Sequence, residues 1–173
     1  MRSKFAIGGH PVHPMLVAIP IGLFLWAFGA DIIYLATDKD KQWYDMSFWT
    51  GIAAMVTAAV AALPGLGDYL TVASKSDAAQ MGLAHLVLNV IVIALYFIAM
   101  LFMLDTGALR GTDLTIVVIL HAIGCGILAL SGWLGAEMVY RHHIAMVPDD
   151  SESERVEVTH HQTGSLRSGL RPR

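Results

Sequence analysis

Four long apolar stretches constrain this chain more than any other feature of its sequence. Each is close to the length of about 20 residues that a helix needs to cross the hydrocarbon core of a bilayer. Of the 173 residues, 55% are hydrophobic and only 14% are charged, which leaves too little polar surface for a water-soluble domain. The sequence therefore predicts an all-α integral membrane four-helix bundle, with spans at Met15–Leu35, Phe48–Leu66, Leu83–Leu104 and Leu114–Val139.

The composition changes after Pro148. We expect residues 1–147 to form the transmembrane domain. Residues 148–173 are first acidic and then basic, with almost nothing large to bury, and we expect them to form a disordered tail. The net charge is −3 and the basic residues form no stripe, so no nucleic-acid partner is expected. The expected partners are membrane lipid and a redox partner or larger membrane complex.

Polar residues gather at one end of the predicted bundle. Because successive spans run in opposite directions, the starts of the first and third spans meet the ends of the second and fourth. We call this end the histidine rim, and it collects His10, His13, Asp68, His85, Glu137, Tyr140, Arg141, His142 and His143. The opposite end is rich in aspartate, from Asp31 to Asp113, and we expect no histidine there. Functional chemistry is therefore expected at the histidine rim.

An internal repeat indicates two tandem hairpins. Each half begins with a histidine, His13 or His85, and ends with a glycine, an acid and a tyrosine. Two copies with the same orientation would be related by a pseudo-two-fold axis along the membrane normal, which would place His13 opposite His85 and Asp68 opposite Glu137. The alternative is that apolar helices resemble one another by composition alone.

Two imidazoles that face each other across an apolar bundle suit the axial ligation of haem b. In that arrangement Asp68 and Glu137 would accept the second ring N–H of His13 and His85. The same four side chains equally suit a zinc or iron ion, and spacing does not separate the two possibilities. His142 is an alternative ligand or a contact for an anionic group.

His121 lies several residues inside the fourth span, away from the histidine rim. A hydrogen bond to a neighbouring helix is the favoured interpretation, ahead of metal ligation. Cys125 follows it at the i+4 position, on the same side of the helix, so a His/Cys metal pair is the weaker alternative.

Several motifs resemble the bacterial family of four-helix membrane proteins catalogued as domain of unknown function 2231. They are GGHPVHPMLVAIPIG at Gly8–Gly22, GLGDY at the end of the second span, AHLVLN at Ala84–Asn89 and SGWLGAEMVYRH at Ser131–His142. The resemblance implies a four-helix membrane architecture and a bacterial setting, and it supplies no activity. The positions that match the family pattern are His10, His13, Asp68, His85, Asn89, Glu137 and His142.

The sequence favours a small membrane redox module that binds haem b or a metal ion at the histidine rim and passes electrons between membrane partners. The cofactor contacts are expected from His13, His85, His142 and Asn89. No hydrolase or kinase signature is present, so electron transfer is the only chemistry expected. The alternative is a cofactor-free accessory subunit of a larger membrane complex. The distribution of Lys and Arg predicts that both termini lie in the cytoplasm. With the bacterial setting that the resemblance implies, the expected location is a bacterial inner membrane.

Overall fold

Four long helices make up most of the computed structural model, which describes residues 3–73, 75–104 and 111–142. The helices are α1 Val12–Ala36, α2 Lys41–Tyr69, α3 Asp77–Leu104 and α4 Gly111–His142. Each contains an apolar stretch with a mean hydropathy between 1.7 and 2.8 and is long enough to cross a membrane. The prediction of an all-α, four-helix membrane protein is confirmed. The predicted tail at 148–173 and His143 lie outside the described residues.

The helices are longer than the apolar stretches because polar residues continue them at their ends. At the start of α2, the Asp40 carboxylate accepts a hydrogen bond of 3.0 Å from the Gln42 backbone N–H. Such a cap satisfies a helix donor that has no partner within the helix. At the end of α4, Arg141 and His142 lie in the last turn, where basic side chains complement the helix dipole.

A short β-ribbon precedes α1, which the sequence did not predict. Strands β1 (Ala6–Ile7) and β2 (His10–Pro11) pair in antiparallel register, with Ile7 opposite His10. The connecting Gly8 and Gly9 have φ values of 57° and 85°. A two-residue hairpin turn of this kind needs positive φ at both positions, which glycine adopts without strain.

Each helix packs on two neighbours. Both α1 and α3 contact α2 and α4, and the largest contacts are within the sequential hairpins α1–α2 and α3–α4. Helices α1 and α3 therefore lie diagonally across the bundle. Side chains that join them must meet at the centre of the bundle.

The two hairpins bury corresponding positions. Four buried positions on α1 each have a buried counterpart 72 residues later on α3. The pairs are Pro20 and Val92, Phe24 and Tyr96, Ala27 and Ala99, and Asp31 and Met103. Buried residues of α2 recur 70 residues later on α4, in the pairs Tyr44 and Leu114, Ser47 and Val117, Gly51 and His121, Ala54 and Gly124, and Ala61 and Ser131. This correspondence is what a pseudo-two-fold axis between the hairpins would produce.

The same register corrects one detail of the predicted repeat. With a shift of 70 residues, Asp68 corresponds to Met138, and Glu137 corresponds to Gly67. The expectation that Asp68 lies opposite Glu137 was therefore wrong by one residue. The buried faces of the helices set this register. The predicted repeat had instead matched the two acids because both lie near the ends of their spans.

Candidate functional site

Two imidazoles approach each other across the bundle, one from each hairpin. His13 lies in the first turn of α1, and His85 lies two turns into α3. Their ring centroids are 6.4 Å apart and their planes are nearly perpendicular, at 88°. Both side chains are half-buried. The structure thus brings together the two histidines that the repeat singled out.

Each imidazole donates a hydrogen bond to a backbone carbonyl of the second helix in its own hairpin. His13 Nδ1 lies 2.8 Å from the Ala61 carbonyl oxygen, and His85 Nδ1 lies 2.8 Å from that of Ser131. A carbonyl only accepts, so Nδ1 must carry the hydrogen in both rings. In a neutral imidazole this leaves Nε2 with its lone pair. Metal-bound histidines commonly have this arrangement, with the second nitrogen donating to a carbonyl or carboxylate.

Two glycines allow the imidazoles to lie against the helix backbone. Gly65 and Gly135 follow the two accepting carbonyls by four residues, one helical turn later. A Cβ on Gly65 would lie 2.7 Å from His13 Nδ1, closer than real Cβ atoms approach, and one on Gly135 would lie 3.3 Å from His85 Cε1. The same cradle of carbonyl and glycine therefore occurs once in each hairpin.

The cradle of His85 contains polar side chains that the cradle of His13 does not. Asn89 Nδ2 donates to Ser131 Oγ at 2.7 Å and to the His85 carbonyl at 2.8 Å, and it lies 3.2 Å from His85 Nε2. The two shorter bonds account for both amide hydrogens, so the contact with Nε2 is the weakest of the three. The corresponding residues of the first hairpin are Val17 and Ala61.

The two predicted acids do not contact these rings. Asp68 accepts hydrogen bonds from Ser3 Oγ at 2.8 Å and from the Lys4 backbone N–H at 3.1 Å. Glu137 pairs with Arg141, with 2.7 Å between Oε1 and Nε. The prediction that these acids accept the second ring hydrogens was wrong. The residues before the β-ribbon supply donors to Asp68, and Arg141 is the i+4 neighbour of Glu137 on the same helix.

The other residues of the histidine rim are more peripheral. The Tyr140 side chain is 77% exposed, and His10 is exposed with Nδ1 donating to the Gly8 carbonyl at 3.1 Å. His142 is half-buried at the end of α4. Over the three described ranges, no three His, Cys, Asp or Glu side chains form a group that could hold a metal ion. The candidate site consists of two imidazoles without carboxylate partners.

A second polar cluster lies deeper in the bundle. His121 Nδ1 is 2.6 Å from Asp31 Oδ2, and both residues are about 2% exposed. The expectation that His121 binds a neighbouring helix is thereby confirmed, but sequence reasoning had left Asp31 among the acids of the opposite end. The sequence did contain one signal for this pair, because both residues lie several residues inside their predicted spans. Asp31 lies four residues before the end of its predicted span and His121 seven residues after the start of its own, so they are about 6 and 10 Å inside those spans.

Tyr96 joins this cluster to the rest of the core. Its ring stacks on His121, with centroids 4.1 Å apart and an angle of 14°. Its hydroxyl donates to the Phe24 carbonyl at 2.8 Å and lies 3.3 Å from Cys125 Sγ. His121 and Cys125, one turn apart on α4, therefore both contact Tyr96, the first through its ring and the second through its hydroxyl.

These observations define a membrane-spanning four-helix protein with a two-histidine site at one end of the bundle. The chain belongs to the family described as predicted membrane protein (DUF2231), whose family model matches residues 9–148. No curated protein and no solved structure matched the chain.

Proposed function

We propose that the protein is a small membrane redox module in which His13 and His85 would hold haem b. The observation that carries this proposal is the pair of imidazoles on diagonal helices, each with Nδ1 bound to a backbone carbonyl. When bound, haem b supplies an iron atom that accepts and releases one electron. The protein would then pass electrons between partners in the membrane.

The separation of the rings suits this role. Imidazole–metal bonds are about 2 Å long, so an iron between two imidazoles separates their ring centres by about 6 Å. The observed separation is 6.4 Å. The carbonyls of Ala61 and Ser131 orient the two rings and increase the basicity of Nε2.

The number of available ligands favours haem over a bare metal ion. Structural zinc takes four protein ligands and catalytic zinc takes three. Within the described part of the chain the site offers two, because Asp68 and Glu137 are bound elsewhere. Haem brings most of the ligands of its iron with it, so His13 and His85 would be enough to hold it.

Visible absorption spectra of the full chain, purified from membranes of cells that make haem, test the proposal. We expect about one haem b per chain by pyridine haemochrome, with a low-spin spectrum in both oxidation states. His13→Ala or His85→Ala should lose the haem. His10→Ala is the matched control, because His10 is exposed near the site and donates only to Gly8.

A further variant guards against simple misfolding. His85→Met should retain haem and raise its midpoint potential, because methionine ligation favours reduced iron. A colourless, metal-free protein would overturn the proposal and favour the cofactor-free accessory subunit, which co-migration with a large complex after gentle extraction would support. A stoichiometric metal ion without porphyrin would also overturn it.

We propose further that the protein lies in a bacterial inner membrane with the histidine rim on the cytoplasmic side. Basic residues support this orientation by a small margin, with Arg2, Lys4, Lys75 and Arg141 at the rim end and Lys39, Lys41 and Arg110 at the other. In a Cys125→Ser background, a membrane-impermeant maleimide should label Lys39→Cys in intact spheroplasts. Lys75→Cys should react only after the membrane is opened, and the reverse pattern would contradict the orientation.

A further inference from the structure

Three of the buried polar residues that depart from the correspondence between the hairpins lie together in the core. Each has an apolar residue or glycine at the matching position of the other half. They are Asp31, matched by Met103, His121, matched by Gly51, and Ser47, matched by Val117. The three positions are on different helices and converge on one region of the core.

A small cavity lies at the point of convergence. Its walls come from α2, α3 and α4 and include Ser47, Gly51, Tyr96 and His121. The cavity is large enough for one water-sized molecule. Gly51 is the counterpart of His121 in the first hairpin. Because glycine has no side chain, the space beside Gly51 stays open.

Ser47 directs an unsatisfied hydroxyl into this region. Its side chain is 1% exposed, and its Oγ has no hydrogen-bond partner among the residues that the structure describes. Leaving a buried hydroxyl without a partner costs free energy, so native proteins usually satisfy such groups with protein or ordered water. Ser47 therefore offers an unused hydrogen-bonding group to a polar molecule in the cavity.

His121 supplies the second polar wall. Its Nδ1 bonds Asp31 and one ring face stacks on Tyr96. Nε2 is the remaining hydrogen-bonding atom of the ring. Among the described residues, Asp31 and His121 belong to no group of three potential metal ligands.

We propose that the cavity is a binding site for one water molecule, which bridges Ser47 Oγ and the imidazole of His121. A buried water needs between two and four polar partners, and these two groups meet that minimum. The resulting chain of Asp31, His121, water and Ser47 crosses the bundle inside the membrane. The water could exchange its hydrogens with the His121 ring. This site does not depend on haem at the histidine rim.

Solid-state NMR of the full chain in lipid bilayers, with 15N-labelled histidine, tests the site. The His121 resonance is identified by its loss in His121→Gln. We expect magnetisation to pass from water protons to the His121 ring in the native protein. The transfer should disappear in Gly51→Ala, whose new Cβ would lie 4.0 Å from the nearest Tyr96 atom and so fills space without a clash.

Gly132→Ala is the matched control. Gly132 is exposed on α4 and a Cβ there would contact nothing within 4 Å, so the water signal should persist. Absence of transfer to His121 in the native protein would overturn the proposal. Transfer that survives in Gly51→Ala would also overturn it, because the water would then lie elsewhere.

Thermal unfolding gives an independent measurement. Gly51→Ala should lower the unfolding temperature of the native protein, because it expels the water and leaves Ser47 without a partner. In a Ser47→Ala background the same substitution should leave the unfolding temperature unchanged or raise it, since alanine favours helix over glycine. Equal effects of Gly51→Ala in the two backgrounds would contradict the water bridge.

Discussion

The two hairpins hold their histidines in the same way but surround them differently. In both, an imidazole donates to a carbonyl and lies against a glycine one turn later. The second hairpin adds Asn89 and Ser131 around His85, where the first has Val17 and Ala61 around His13. The comparison shows that the backbone positions the rings, whereas the side chains around them are free to differ.

The cores of the hairpins differ more than the cradles. Asp31 and His121 form a buried hydrogen-bonded pair. The residues at the matching positions are Met103 and Gly51, which cannot form such a bond through their side chains. Asp31 lies on α1 and His121 on α4, so their bond joins the two hairpins, and the matching positions carry no ionisable side chain. Intramembrane ionisable residues are kept for function more often than for stability.

The largest expected change in unfolding free energy comes from giving one core position the residue found at the matching position of the other hairpin. Asp31→Met copies Met103 and leaves His121 without its partner, which should lower the unfolding free energy by about 3–5 kcal/mol. Denaturant unfolding in detergent micelles measures this loss. The control Met103→Leu should cost less than about 1.5 kcal/mol, because it conserves volume and polarity. Similar losses in both variants would contradict the importance of the Asp31–His121 bond.

Next come the two cradle glycines. Gly65→Ala and Gly135→Ala should each cost about 1–3 kcal/mol through overpacking against the imidazole. Gly65→Ala should be the more severe, because its Cβ would lie 2.7 Å from His13 while that of Gly135 would lie 3.3 Å from His85. Unfolding free energies and haem content of the two variants test the order. Equal tolerance of both substitutions would show that the rings do not depend on this contact.

Tyr96 offers a smaller test of the comparison, since its counterpart Phe24 has no hydroxyl. Tyr96→Phe removes the bond to the Phe24 carbonyl and should destabilise the protein by about 1 kcal/mol. The ring remains, so stacking on His121 should persist. Equilibrium unfolding measures the cost, and a gain in stability would argue against this bond.

The smallest effect is expected from Asn89→Val, which makes the His85 cradle resemble that of His13. Loss of the bond to Ser131 Oγ should cost about 0.5–1 kcal/mol. In 15N NMR spectra, the His85 ring signals should shift while those of His13 stay in place. A shift of both histidines would show that the two cradles are coupled through the 6.4 Å contact between the rings.

Several features of the site were accessible from the sequence. The repeat identified His13 and His85 because each begins an apolar hairpin, and matching positions in a repeat adopt matching environments. The partners of these rings were not accessible. Carbonyls and glycines have no distinctive side-chain signal, so the acids Asp68 and Glu137 were the more visible candidates, and they bind Ser3, Lys4 and Arg141 instead.

The length and apolarity of four segments determined the class of protein, because the cost of leaving backbone groups unsatisfied in lipid makes each such segment a helix. That argument needs only residues close together in the chain. Tertiary structure alone decided that Asp31 meets His121 and that Ser47 is left beside a cavity. These contacts depend on the rotation and register of helices that are distant in sequence, and those are set by packing across the whole bundle.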